Sequence, residues 1–282
     1  MAKVARQQYG KERVRVMRVH REGEAHEVFE YEAGISLEGD FDSAYLTESN
    51  AAVVPTDTMK NTLQALGYTL APRALEPFAL AVAEHFLGKY AHITDVRLHI
   101  TQKTWTRLVI GGQPHAHSFQ SAAGEKPFVK LHATREGART LTAGFTDLLI
   151  LKTTASGFAG FPRCEFTTLP ETDDRIFATS ATGEWTFGAP LAEIDFPAVR
   201  AAVMAELLRV FATEYSPSVQ RTLFQMGEAA LAAAPALSGI TLKLPNKHYL
   251  PVNLQPLGLP PQKELFLPTD EPHGQIEATI TR

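Results

Sequence analysis

EPFALAVAEHFLGKYAHITDVRLHI, residues 76–100, changes period halfway along. Its first part carries Phe78, Val82 and Phe86 four residues apart, with Pro77 in the first turn, and reads as a helix over 76–90. Its second part alternates, with Val96, Leu98 and Ile100 on one side, and reads as a long strand over 94–110. A helix that feeds an alternating strand belongs to a layer of helices on one face of an antiparallel sheet.

Working outward gives the rest of that layer. Residues 13–20 alternate through Val14 and Val16, with Val19 further on. Residues 26–37 alternate more loosely, and Glu22-Gly23-Glu24 joins the two as a hairpin. Residues 41–52 are polar and show no period. A first helix starts around Thr56-Asp57-Thr58, any of which is a natural cap, and stops at Gly67. Residues 126–134 read as the antiparallel partner of 94–110.

The second half repeats this order without repeating its residues. Strands are expected over 140–152, 183–187, 240–244 and 275–280. Asp195, with Pro197 behind it, caps a helix striped by Val199, Val203, Leu207 and Val210. Ser216-Pro217 opens another, with Val219, Leu223 and Met226 inward and Pro235 as its stop. The class is α+β, in two units over 1–137 and 138–282, each pairing two helices with one antiparallel sheet.

Composition narrows the functions. With 44% apolar and 21% charged residues, the chain is that of a globular domain. A formal charge of -4 gives no coat for a polyphosphate, so no nucleic-acid partner is expected. No apolar run of about 18 residues occurs, so no membrane partner is expected. Cys164 stands alone, and neither an apolar leader nor a Ser-Lys-Leu terminus is seen, so a cytoplasmic location is expected.

Motifs for standard redox devices are missing. Neither G-x-G-x-x-G nor G-x-x-x-x-G-K-[ST] nor H-E-x-x-H occurs. His115 and His117, with His99 and His132 elsewhere, are the best metal candidates, but 115–117 reads as a polar loop after Gly111-Gly112-Gln113-Pro114. No metal is expected.

Six short segments carry the remaining chemistry: Tyr9-Gly10-Lys11, V-V-P-T-D-T-M-K-N-T at 53–62, S-G-F-A-G-F at 156–161, Arg175 after two aspartates, S-V-Q at 218–220, and L-P-N-K-H-Y at 244–249. Each alone has a plainer reading: a basic N-terminal segment, a cap, core phenylalanines, a surface ion pair, an exposed helical Gln, a polar turn. Together with W-T-R at 105–107 and P-H-x-H-S-F at 114–119, in this order over nearly the whole chain, they resemble the urate oxidase family.

That resemblance implies the tunnelling fold: two tandem α+β units per subunit, and a homotetramer with active sites at subunit interfaces. It implies oxidation of urate by dioxygen and water, without cofactor, to 5-hydroxyisourate and hydrogen peroxide in purine catabolism. It puts substrate binding on Thr56, Asp57 (through its backbone donor), Phe158, Arg175, Val219, Gln220 and Asn246. It puts catalysis on Lys11 and Thr56 as a proton relay, on Asn246 over the substrate face, and on His248 orienting the relay. Ala159 departs from the family, which can carry Trp there, and leaves the wall behind Phe158 looser. A related fold acting on pterins would need a zinc ligand set, which the sequence does not offer.

Overall fold

In the computed structural model of the chain, which describes residues 3–282, β1 (Gln8–His20) and β2 (Glu27–Gly39) form the expected hairpin. β2 alternates cleanly: Phe29, Tyr31, Ala33, Ile35 and Leu37 are all buried on one face. Full burial of each large side chain stabilises the fold by roughly 1.5–3 kcal/mol. A short helix, α1 (Asp42–Leu46), occupies part of the segment that showed no period. α2 (Thr56–Thr69) and α3 (Leu75–Lys89) then supply the helical layer, with Phe78, Val82 and Phe86 fully or almost fully buried as the spacing requires.

Gly67 does not stop α2, which runs on to Thr69. It is buried within the helix, and a Cβ there would stand 2.4 Å from the Tyr31 hydroxyl. The glycine therefore serves a close approach to β2.

The long strand expected over 94–110 is broken at Thr104 into β3 (Ile93–Lys103) and β4 (Trp105–Ile110). β4 pairs with β5 (Gln113–Ser121) in a separate hairpin, so His115 and His117 lie on a strand instead of a loop. Arg107 fixes this hairpin by donating to the carbonyls of His115 and Ala116 at 2.7 and 2.6 Å, and to that of His26. β6 (Lys126–Thr134) pairs antiparallel with β3, giving the order β1-β2-β3-β6.

Two compact units result, Met1–Gly144 and Phe145–Arg282. The division falls inside β7 (Arg139–Lys152), a little beyond the expected boundary at 137/138. In the second unit β8 (Phe177–Phe187) starts before residue 183. Next comes α4 (Phe196–Thr213), where the Asp195 carboxylate accepts from the Ala198 amide at 3.0 Å and caps the helix as expected. Val203, Leu207 and Val210 are buried in its stripe; Val199 is half-buried. α5 (Val219–Ala233) is capped by Ser218, two residues later than the expected start.

β9 (Leu237–Pro251) and β10 (Phe266–Thr281) are far longer than the apolar runs that announced them. β9 pairs with β8 on one side and β10 on the other. α5 packs on β9 and β10, burying Val219, Leu223, Met226 and Leu231. This is mixed helix and antiparallel sheet in both units, as the sequence implies.

Candidate active site

In the first unit the site residues are aimed by a β-bulge. Lys11 pairs with Ile35 and Val14 pairs with Ala33, so Glu12 and Arg13 together oppose Gly34. Arg13 takes φ 58°, and a Cβ on Gly34 would meet the Glu12 carboxylate at 2.2 Å. Opposed residues in an antiparallel pair share a face. Lys11 therefore shares the face of buried Ile35, and Val14 that of buried Ala33. Without the extra residue one of the two would point to the other side. Tyr9, on the same face, donates to the Val54 carbonyl at 3.1 Å, just before α2 begins.

α2 starts without a side-chain cap. Its N-cap is Pro55, so none of Thr56, Asp57 and Thr58 caps it. The first helical bond runs from the Met59 amide to the Pro55 carbonyl at 3.2 Å, leaving the three preceding amides as orphan donors. The Asp57 carboxylate is turned along the helix to Lys60 and to Asn61 at 2.9 Å. Lys60 chiefly, then Asn61 and the charge of Lys11, hold it below the usual carboxylate range. Lys11 is thus near enough to the start of α2, where Thr56 and Asp57 stand, for its charge to act on the Asp57 carboxylate.

In the second unit Phe158, Arg175, Val219, Gln220, Asn246 and His248 line one cavity of about 180 Å³, with Leu169 and Ile276. Backbone bonds knit three loops to make it. Phe158 exchanges bonds with Thr172 at 2.7 and 3.1 Å, Arg175 donates its amide to the Ser156 carbonyl at 2.8 Å, and Gly157 donates to the Ser216 carbonyl at 2.8 Å. Gly157 must be glycine: a Cβ would stand 2.4 Å from the Tyr215 hydroxyl and 2.9 Å from the Thr172 carbonyl oxygen.

α5 meets this cavity with its N-terminus. Ser218 accepts from the Arg221 amide at 3.2 Å, and the Thr222 amide makes the first helical bond to the Ser218 carbonyl. The Val219 and Gln220 amides are orphan donors that favour an anion. Asn246 and His248 continue the row of Ile240, Leu242 and Leu244 along β9, which α5 covers up to its first turn. The L-P-N-K-H-Y segment is therefore strand, where a polar turn was the plainer reading. Opposite it, the pairing of β9 with β10 is irregular between Thr269 and Gly274.

Arg175 is the cation of the cavity. Its guanidinium carbon lies 5.5 Å from the centre of the Phe158 ring, and its Nε is buried without an acceptor. The acid next to it in sequence is engaged elsewhere: the Asp174 carboxylate accepts from the Thr154 hydroxyl at 2.7 Å. Burial pulls the Arg175 pKa down, with Tyr215 opposing, yet a guanidinium remains charged. A second cavity of about 380 Å³ shares Phe158, Leu169, Arg175, Asn246 and His248 and extends to Lys247 and Lys263.

Sequence reasoning missed Leu169, Ile276, Tyr215 and the buried Ser216 and Thr222. Only the polar spacing of Ser216, Ser218 and Thr222 around a helix start could have pointed to the last two. Of the histidines weighed as metal ligands, the rings of His115 and His117 lie edge to face at 4.6 Å, while His132 pairs with Asp95 at 2.6 Å. His99 stands edge-on to Phe128.

The model of the uricase family matches residues 7–132 and 141–277. Uricase-2 of Phaseolus vulgaris is 39% identical over 292 residues, covering 98% of this chain and 94% of that protein. The uricase of Oryctolagus cuniculus is 35% identical over 279 residues, covering 97% and 93%. The crystal structure of uricase from Arthrobacter globiformis superposes with a TM-score of 0.92 at 37% identity, covering 100% of this chain and 96% of that one. On family match, identity over almost the whole length and shared fold, the chain belongs to the uricase family.

Proposed function

We propose that the chain is a urate oxidase that converts urate, dioxygen and water to 5-hydroxyisourate and hydrogen peroxide. Family membership gives the reaction class. The observation that carries the assignment of the site is the buried Arg175 Nε, left without an acceptor, beside the Phe158 ring and the α5 N-terminus. A planar, conjugated purine anion satisfies all three. It stacks on the phenyl ring, gives acceptors to the arginine fork, and meets the Val219 and Gln220 amides. The Gln220 side chain matches an amide-like edge, which both donates and accepts.

Urate itself is the reductant. Its dianion passes one electron to dioxygen; the radical pair recombines to a peroxide, which loses hydrogen peroxide and takes up water. The protein positions the partners and stabilises charge. Asn246 holds dioxygen and then the attacking water over the purine face. Lys11 and Thr56 relay protons through a water, the Asp57 amide assists binding, and His248 orients the relay. No cofactor or metal takes part.

We further propose a cytoplasmic homotetramer in which each site joins the Lys11–Thr56 cluster of one subunit to the Arg175 cavity of its neighbour. The test is to add urate to purified, chelator-treated protein and follow urate absorbance together with oxygen uptake and subunit mass. Equimolar loss of urate and oxygen with peroxide formation is expected. An inert protein overturns the reading. Activity that chelation abolishes and copper or iron restores overturns its cofactor-free part.

A further inference from the structure

Phe158 does not stand alone. The Phe161 ring lies on it with centroids 4.9 Å apart and planes 14° from parallel. The chain returns on itself to achieve this. Gly160 takes φ 72°, a conformation open to glycine, and its amide donates to the Glu171 carboxylate at 3.2 Å. Arg163 lies over the Phe161 ring at 5.5 Å. Ala159, between the two rings in sequence, is exposed and offers only a methyl group. Phe161 is absent from the walls of both cavities that Phe158 borders. Phe161 thus covers one face of the Phe158 ring from outside both cavities, and the Arg175 guanidinium lies over the ring as well, 5.5 Å from its centre.

We infer that Phe161 is a positioning residue: it holds the plane of Phe158 so that the opposite face is ready to receive the purine. The wall behind Phe158, expected to be loose beside Ala159, is thus built by the residue three places on. A phenyl ring on an unsupported loop swings, and fixing it on binding costs affinity that a preformed stack saves. This inference rests on the reading of Phe158 as the stacking platform.

The test is a double-mutant cycle of Phe158→Leu and Phe161→Leu, with Phe161→Met and Phe161→Tyr alongside. KM and kcat for urate, affinity for xanthine as a non-reacting purine that lacks the 8-oxo group, and melting temperature are measured. Phe161→Leu and Phe161→Met are expected to raise KM and weaken xanthine about three- to tenfold, with kcat within about twofold of the parent. Phe161→Tyr, which keeps the stack, is expected to restore the parent values. In the Phe158→Leu background, Phe161→Leu is expected to add nothing. An unchanged KM in Phe161→Leu, or the same increment in both backgrounds, overturns the inference while leaving the site reading intact. If both apolar variants fail to fold, Phe161 is a packing residue and the inference is overturned. If Phe158→Leu itself leaves KM unchanged, the platform reading and this inference fall together.

Discussion

The Thr222 hydroxyl donates to the Ser216 hydroxyl at 2.7 Å, and both side chains are fully buried. Ser216 in turn donates to the Ser218 carbonyl at 3.2 Å. A hydroxyl pair thus ties the first turn of α5 to the strand-like segment at Ser216, which also receives Gly157. Thr222→Val keeps the shape and removes the donor. It is expected to cost about 1–3 kcal/mol, because the Ser216 oxygen loses its donor in a site closed to water. Chemical denaturation measures that loss. KM for urate is expected to rise with it, since Val219 and Gln220 stand on the same turn; a variant as stable as the parent would show the pair to be incidental.

Arg175→Ala is expected to weaken urate binding by about 1.5–3 kcal/mol, the worth of hydrogen bonds to a charged partner. Lys11→Ala is expected to lower kcat while holding urate, since its proposed part is in the relay. Steady-state kinetics and equilibrium binding separate the two. Equal losses of affinity would remove the distinction of roles.

Gly157→Ala probes the close approach beside Phe158. The Tyr215 hydroxyl can swing away from a new Cβ, but the Thr172 carbonyl at 2.9 Å is backbone that bonds to Phe158. The loop must shift, moving Phe158 and Arg175 against each other. A stability loss of about 1–3 kcal/mol is expected, as for an overpacked core, with a higher KM than in Tyr215→Phe. Parent-like binding in Gly157→Ala would mean that the loop has slack.

The proposal of shared sites gives a quantitative outcome. Thr56→Ala and Arg175→Ala proteins are each expected to be poorly active. Co-refolded in equal amounts, they form whole sites only where the first mutant gives the cavity and the second gives the cluster. Random pairing in an isologous dimer makes about a quarter of sites whole, and activity is expected to approach that fraction of the parent. Mixed tetramers, shown by native mass to have formed, that stay inactive would assign both halves to one chain.

The helices and the central strands could be read from sequence because their signals are local. The Phe78-Val82-Phe86 stripe, the Asp195 cap and the alternation of β2 each state their own geometry. β5 escaped detection because its hairpin with β4 carries no continuous apolar face. β9 and β10 escaped for most of their length because polar residues follow the apolar run in β9 and precede it in β10. Gly67 misled because a helix-stopping residue and one that admits a tyrosine look alike without the partner strand. Within the site, single segments had bland readings, and only their order along the chain singled them out. The Ser216–Thr222 pair and the stack of Phe161 on Phe158 depend on loops meeting in space, which no local spacing records.

The bulge at Glu12 and Arg13 has a consequence for how variation is read. What it contributes is chain length: one residue more than the partner strand has. Replacing Glu12 or Arg13 side chain by side chain would leave that length untouched. Deleting either would keep every other letter of β1 and yet turn Lys11 to the opposite surface. In this strand the side on which Lys11 stands is encoded by counting, and insertions and deletions carry information that a substitution survey cannot see.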